Sequence, residues 1–392
     1  MKLLVVVPAL GAVYGGPSKS VIELARALGK SGVSVDVVTT NADGDRTINT
    51  PLHQWIEQDG YRVRYFPYLG WGDYKLSLSM ARWLIAHSHR YDLVQTNAIF
   101  SLTNLPAYLT CRWQNVPYVI IPRGMLEPWA MSYKAWKKKV YYTLLEQPAL
   151  QSASAIQMLA SSEAEQIKPL QLKSPVVISP NGIHRQDFET LPSPDLFYQQ
   201  FPNTRSKKII LFLGRIDPKK GLNFLAHAFG KVSADFADVH LVVAGPDSVG
   251  FLPMAKQYFA DSGCLDSVTF TGILSGDVKY GALAAADYYI APSYSEGFSM
   301  SVLEGMAAGL PCVITTGCNF PEAGEAGVAL VAEVDEEAIA AALYACLSDP
   351  KSAAAMGQRA RDFIFNHYTW DKVASDLSMH YQSIVTRQFQ HA

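Results

Sequence analysis

The strongest constraint on how this chain folds is a run pattern that occurs twice. Leu3–Val7, Ser34–Thr39, Leu93–Gln95 and Tyr118–Ile121 are short apolar or β-branched segments. Between several of them, as in Pro17–Lys30, apolar residues recur at helical spacing. Buried strands alternating with helices predict a parallel sheet with helices on both faces. The same grammar restarts near Lys208: Ile209–Gly214, His240–Gly245, Val268–Gly272, Tyr288–Ala291 and Pro311–Thr315 read as strands, and Gly221–Val232 as a helix. At 392 residues the chain exceeds one comfortable core, so two α/β domains are expected. Pro180-Asn181-Gly182 and the Pro-rich stretch from Leu191 to Pro202 mark the hinge.

Composition removes some functions. A formal net charge of -2 gives no electrostatic reason to expect nucleic acid. Five scattered cysteines without metal-type spacing read as reduced thiols and point to the cytoplasm. The first residues superficially resemble a short signal peptide, but three valines followed by Pro and a Gly-rich loop fit a buried strand better.

Ligands of doubly wound sheets bind at the carboxyl ends of the strands, so the loops that follow strands carry the chemistry. Gly11–Ser18 holds Gly15 and Gly16 ahead of a helix that opens with Pro17, which suits either a diphosphate at a helix N-terminus or a plain tight turn. Its spacing is not that of a dinucleotide fingerprint. Gly214–Gly221 supplies Arg215, Lys219 and Lys220, and two such cations can neutralise a diphosphate without a metal.

The third loop, Glu296-Gly-Phe-Ser-Met-Ser-Val-Leu-Glu304, sets two carboxylates eight residues apart between a strand and a helix. Ser301 and Glu304 also fit a capping box, whereas Glu296 lies outside the helix with no cation near it in sequence. Asp43-Gly-Asp45 is better explained by turn chemistry than by a metal, and His87 and His89 face different sides of a helix. In 132–145, Trp136, Val140 and Leu144 form one stripe opposite Lys134, Lys137 and Lys138. It reads as an ordinary helix with a solvated charged face, or as a peripheral contact with an anionic membrane.

The ordered set of Gly15-Gly16, Pro180-Asn181-Gly182-Ile183, Gly214-Arg215, Lys220-Gly221, Gly245-Pro246, Thr271-Gly272 and Glu296-Gly297-Phe298 through Glu304 resembles the retaining family 4 glycosyltransferases. The resemblance implies the GT-B fold, with two Rossmann-like domains facing a cleft and a terminal helix returning to the first. The expected domains are 1–185 with 370–392 on the acceptor side, and 186–369 on the donor side.

By the same resemblance Arg215 and Lys220 hold the donor diphosphate, with Gly15, Gly16 and Gly245 approaching it. Leu274 lies against the base, Glu304 binds ribose, and Glu296 contacts sugar hydroxyls. The backbone from Phe298 through Ser299 and Met300 to Ser301 lies near sugar and phosphates. Many relatives carry His-Gly where this chain has Arg123-Gly124, and arginine cannot serve as a general base. Arg123 is therefore read as a clamp for phosphate or acceptor, with Asn97 orienting the acceptor.

The implied activity is metal-independent, retaining transfer of a hexose from a nucleoside diphosphate sugar to a glycan or lipid-linked acceptor. UDP and glucose are the favoured donor parts, and no cofactor is expected. An epimerase on the same fold and a non-catalytic nucleotide-sugar-binding protein stay open. The expected location is cytoplasmic, with peripheral membrane contact through 132–145.

Overall fold

The computed structural model describes residues 1–71, 74–126 and 139–391. The chain divides into two compact units, Met1–Gly182 with the segment from Trp370 onward, and Ile183–Thr369.

In the first unit, strands β1 (Lys2–Ala9), β2 (Ser34–Thr40), β3 (Trp55–Glu57), β4 (Arg62–Phe66), β5 (Leu93–Asn97), β6 (Tyr118–Ile121), β7 (Ala155–Met158) and β8 (Val176–Ile178) form one sheet. Their order is β8-β7-β6-β5-β1-β2-β4-β3. Every pair is parallel except β3 with β4. Alternation along β1 feeds two cores. Leu3, Val5 and Val7 pack with Val21, Leu24 and Leu28 of α1 (Gly16–Lys30), while Leu4 and Val6 join Trp83, Tyr108 and Ile120 on the other face.

The second unit repeats the plan with β9 (Lys208–Leu213), β10 (Val239–Ala244), β11 (Val268–Gly272), β12 (Tyr288–Ala291), β13 (Cys312–Thr315) and β14 (Leu330–Ala332). The order is β11-β10-β9-β12-β13-β14, all parallel. Ile209, Leu211 and Leu213 face a core shared with α4 (Met300–Ala307) and α5 (Pro350–His367). Ile210 and Phe212 face a core shared with α2 (Leu222–Asp235). Between them, α3 (Gly276–Ala285) follows β11. The last helix, α6 (Trp370–His391), belongs to the first unit, where Trp370, Val373, Ala374, Leu377 and Tyr381 complete the core under α1.

Both sheets are wound outward from their first strand. Strand order therefore reverses between β1 and β5 in one unit, and between β9 and β12 in the other. Such reversals open a crevice at the strands' carboxyl ends. The loop after β1 ends at Gly15, with Gly16 opening α1, and β5 ends at Asn97. The loop after β9 contains Arg215 and Lys220, and the one after β12 contains Glu296.

Candidate functional site

In the second unit the crevice brings Lys220 and Glu296 together. The turn Pro218–Lys220 is held by Asp217, whose Oδ1 accepts the Lys219 amide at 2.9 Å. It ends at Gly221, whose φ is +67° and where a Cβ would lie 1.9 Å from the Pro292 carbonyl. That contact locks the β9 loop against the β12 loop. Lys220 Nζ forms an ion pair with Glu296 Oε1, which also accepts Ser293 Oγ at 2.7 Å. Both side chains are mostly buried, 14% and 15% exposed. The Glu296 backbone is fixed as well: its amide donates to Gly317 O at 2.8 Å and its carbonyl accepts Asn319 Nδ2. The carboxylate without a cation near it in sequence thus has one supplied from across the sheet.

Beside this pair lies a cavity of about 200 Å³, lined by Arg215, Gly245, Leu274, Lys279, Ser301 and Glu304 among others. Gly245 is required by close packing, since a Cβ there would stand 1.8 Å from Gly214 O. Arg215 reaches outward, 60% exposed, with Asp217 Oδ2 3.7 Å away. Glu304 pairs with Lys279 Nζ at 2.6 Å. The capping-box expectation is corrected here. Ser299 is the N-cap of α4 and makes no side-chain cap, Ser301 lies in the first turn, and Glu304 turns to Lys279. Met300 opens the helix, and Phe298 packs edge-on to Phe320 and stacks on Tyr368, so this pair of rings anchors the loop.

In the first unit Arg123 follows β6 with a left-handed backbone, φ +57°. Its guanidinium donates to Asn97 Oδ1 from Nε at 3.2 Å and from Nη2 at 2.8 Å. Nη1 donates to Ser20 Oγ at 3.1 Å and to Asn181 Oδ1 at 3.4 Å. Burial pushes its pKa down to about 10, which leaves it protonated at neutral pH. Asn97 and Arg123 line a cavity of about 320 Å³ together with Tyr14, Ser18, Lys75 and Phe100.

The loop that leaves β5 is strained, with Ala98 at φ +64° and Phe100 at +57°. It is pinned in several places. Asn104 Nδ2 donates to the carbonyls of Asn97 and Ala98 at 2.9 and 2.8 Å, and the buried Glu146 accepts the Phe100 amide at 2.8 Å. Gly15 is the N-cap of α1 and, like Gly16, has no atom near where a Cβ would stand.

Lys279, Ser293, Lys75 and Glu146 escaped the sequence reading. Lys279 sits in an ordinary-looking helix, and no local pattern ties it to Glu304. Asp43 has a structural partner outside its own turn: its Oδ1 accepts the Val13 amide, 30 positions earlier, at 3.0 Å. His87 stacks on Trp83 at 4.7 Å. Among the described residues no cluster of His, Cys, Asp or Glu is arranged to hold a metal. No described helix is long and apolar enough to cross a membrane. Of the 132–145 stretch, 132–138 lies outside the described residues. Val140 and Leu144 beyond it are exposed, 53% and 68%.

Two family models match. One, described as glycosyl transferase 4-like domain, covers 15–182, and one described as glycosyl transferases group 1 covers 207–349. A phosphatidyl-myo-inositol mannosyltransferase of Mycolicibacterium smegmatis is 30% identical over 218 residues, 54% of this chain and 53% of that protein. A lipopolysaccharide 1,2-N-acetylglucosaminetransferase of Salmonella typhimurium is 27% identical over 210 residues, 51% and 54% of the two chains. The chain thus spans about half the length of the curated relatives it matches. Among solved structures, sucrose-phosphate synthase from Thermosynechococcus elongatus superposes with a TM-score of 0.77 at 19% identity, over 99% of this chain and 100% of the other. Anabaena HepE in complex with UDP and glucose gives 0.74 at 18%, over 98% and 100%. At such identities the likeness is one of fold. With both family models matched in order, the chain belongs to the family 4 glycosyltransferases and has their GT-B fold.

Proposed function

We propose that this chain transfers a hexose, with retention at the anomeric carbon, from a nucleoside diphosphate sugar to a glycan or lipid-linked acceptor. The observation that carries the reading is the Lys220–Glu296 pair at the reversal point of the second sheet. Breaking the sugar–phosphate bond leaves growing negative charge on the diphosphate. A cation already fixed in place stabilises that charge without reorganising. Lys220 is fixed by Glu296, and Arg215 extends freely enough to close onto phosphate oxygens.

In this reading Glu296 contacts sugar hydroxyls and gives up part of its hold on Lys220 as the diphosphate arrives. Glu304, oriented by Lys279, anchors the ribose, and Leu274 lies under the base. The amino end of α4, Ser299 to Ser301, faces the phosphates. Attack on the face the leaving group departs from, with the departing phosphate taking the acceptor's proton, needs no protein base, and Arg123 supplies none. The two cations take the place of a divalent metal, so excess chelator should leave turnover within about twofold in a steady-state assay.

UDP is the proposed nucleotide and glucose the first sugar to test. Mannose and N-acetylglucosamine, the sugars in the relatives' names, are the competitors. Those relatives are named as transferases, which favours transfer over epimerisation or binding alone. Exposed Val140 and Leu144 support a peripheral membrane contact through 132–145, to be checked by sedimentation with anionic vesicles.

The decisive experiment joins a thermal-shift screen of UDP, UDP-glucose, UDP-N-acetylglucosamine and GDP-mannose with turnover of Lys220→Ala. A ligand that binds only the folded state raises the apparent Tm. Loss of Lys220 should cost roughly 100- to 1000-fold in rate. No shift with any nucleotide, or near-normal turnover in the variant, would sink the proposal.

A further inference from the structure

The first-unit cavity carries charge of one sign. Among the described residues its wall includes two cations, Lys75 and Arg123, and no carboxylate. Among the described residues neither forms an ion pair, although the charge of the buried Glu163 reaches Arg123. The hydrogen bonds of Arg123 end on the amide oxygens of Asn97 and Asn181 and the hydroxyl of Ser20. Lys75 Nζ stands over the Tyr14 ring, 5.3 Å from its centroid. Pro17 and Ser18 bring the first turn of α1 to the same wall, and that turn has no acidic residue and no side-chain cap. Its free N–H groups add partial positive charge.

One more group is left over. Asn97 gives its oxygen to Arg123, which fixes the amide's orientation, and its buried Nδ2 has no partner. A guanidinium withdrawn from water is costly unless an opposite charge joins it. Apart from Ser101, the rest of the wall, including Val7, Ile99 and Met125, is apolar.

We propose that this cavity receives an anionic group of the acceptor, a phosphate or a carboxylate. The inference rests on the transferase reading, which assigns the charged hold on the donor's diphosphate to Arg215 and Lys220 of the second unit. Arg123 offers a rigid planar fork already oriented by three neutral partners. Lys75 offers a mobile charge at the same wall, and the apolar residues take the carbon skeleton beside the anion. Arg123 is thus a binding group for the acceptor's charge.

The test is a calorimetric titration of the 392-residue chain with inorganic phosphate and, separately, with succinate, each with and without saturating UDP. It is repeated for Lys75→Ala, Arg123→Lys and Lys220→Ala. We expect one of the two anions to bind in the presence of UDP, with Lys75→Ala about tenfold weaker and Lys220→Ala within about twofold of the parent. Arg123→Lys should lose more, and if it fails to fold, Lys75→Ala decides. Displacement of the anion by UDP, or its loss in Lys220→Ala with Lys75→Ala unaffected, assigns the anion to the donor's diphosphate and overturns the inference. Binding of neither anion overturns it as well. UDP binding in the same titrations reports the donor site independently: UDP bound without either anion defeats this inference alone, whereas failure of every nucleotide in the earlier screen defeats the transferase reading.

Discussion

Lys220 and Glu296 are 76 positions apart, yet one glycine decides whether they meet. Gly221 puts its α-carbon so near the Pro292 carbonyl that any side chain must push the two loops apart. Gly221→Ala combines that clash with a left-handed backbone, which L-residues adopt reluctantly. It should cost about 2 kcal/mol or more in urea denaturation, and lower turnover further because the ion pair is set by the same contact. The sequence picked out residues that the fold brings together better than it showed how they are joined. Arg215, Lys220, Glu296 and Glu304 were all marked by their place after strands. Their partners Lys279 and Ser293 were not: Lys279 and Glu304 lie on different helices and meet only through tertiary packing, and Ser293, three residues before Glu296, carries no pattern of its own.

Elements explain why the loops marked after strands fall close together within each unit. A sheet wound outward from its first strand has one point where neighbouring loops diverge, and strand order in both units puts the marked residues there. The long buried strands were legible from continuous apolar runs. Three others, Ala155–Met158, Val176–Ile178 and Leu330–Ala332, were not picked out, since a run of three or four residues separates a strand from a turn only weakly, although the equally short Tyr118–Ile121 and Tyr288–Ala291 were read as strands. The strained loop after β5 was equally invisible, because what pins it is the Asn104 amide and the distant, buried Glu146.

Burial raises the Glu146 pKa from 4.5 to about 7, with the Phe100 and Ser101 amides pulling it partly back. Tyr108 and Tyr142, which feel its charge, are both pushed up by burial and so neutral around pH 7. A carboxyl whose folded pKa is raised holds its proton more tightly folded than unfolded. Its contribution is therefore fully present below about pH 4.5 and is lost as pH rises to about 7, by roughly 3 kcal/mol. Glu146→Gln should flatten that part of the stability profile, measured as denaturation midpoints between pH 5 and 8. An unchanged profile would show that Glu146 is not the group responsible.

At the scale of the molecule, the first unit is discontinuous in sequence. Trp370, Val373, Ala374, Leu377 and Tyr381 are all buried in its core, and the Tyr381 hydroxyl lies 3.0 Å from Gln95 Oε1 and 2.7 Å from Gln157 Oε1. One phenol proton serves only one carbonyl oxygen, so one of those amides must present its NH2 instead. Ending the chain at Thr369 would uncover the α1 side of the core. The shortened chain should lose the first unit's cooperative unfolding and bind an apolar dye, while the second unit, whose cores contain none of these residues, keeps its own transition in calorimetry.

The two-part division was legible because the strand–helix grammar restarts near Lys208. The return of the last helix was implied by resemblance alone, since nothing in an amphipathic helix states which core it completes. That return has a consequence for synthesis on the ribosome. The first unit is the first to emerge, yet the helix that seals it is made only after the whole of Ile183–Thr369. At roughly 5–20 residues per second the nascent first unit waits on the order of ten to forty seconds with one apolar face uncovered. Throughout that interval it is a natural client for chaperones, and synonymous codons that slow or hasten translation of the second unit should change the yield of folded protein without changing any residue.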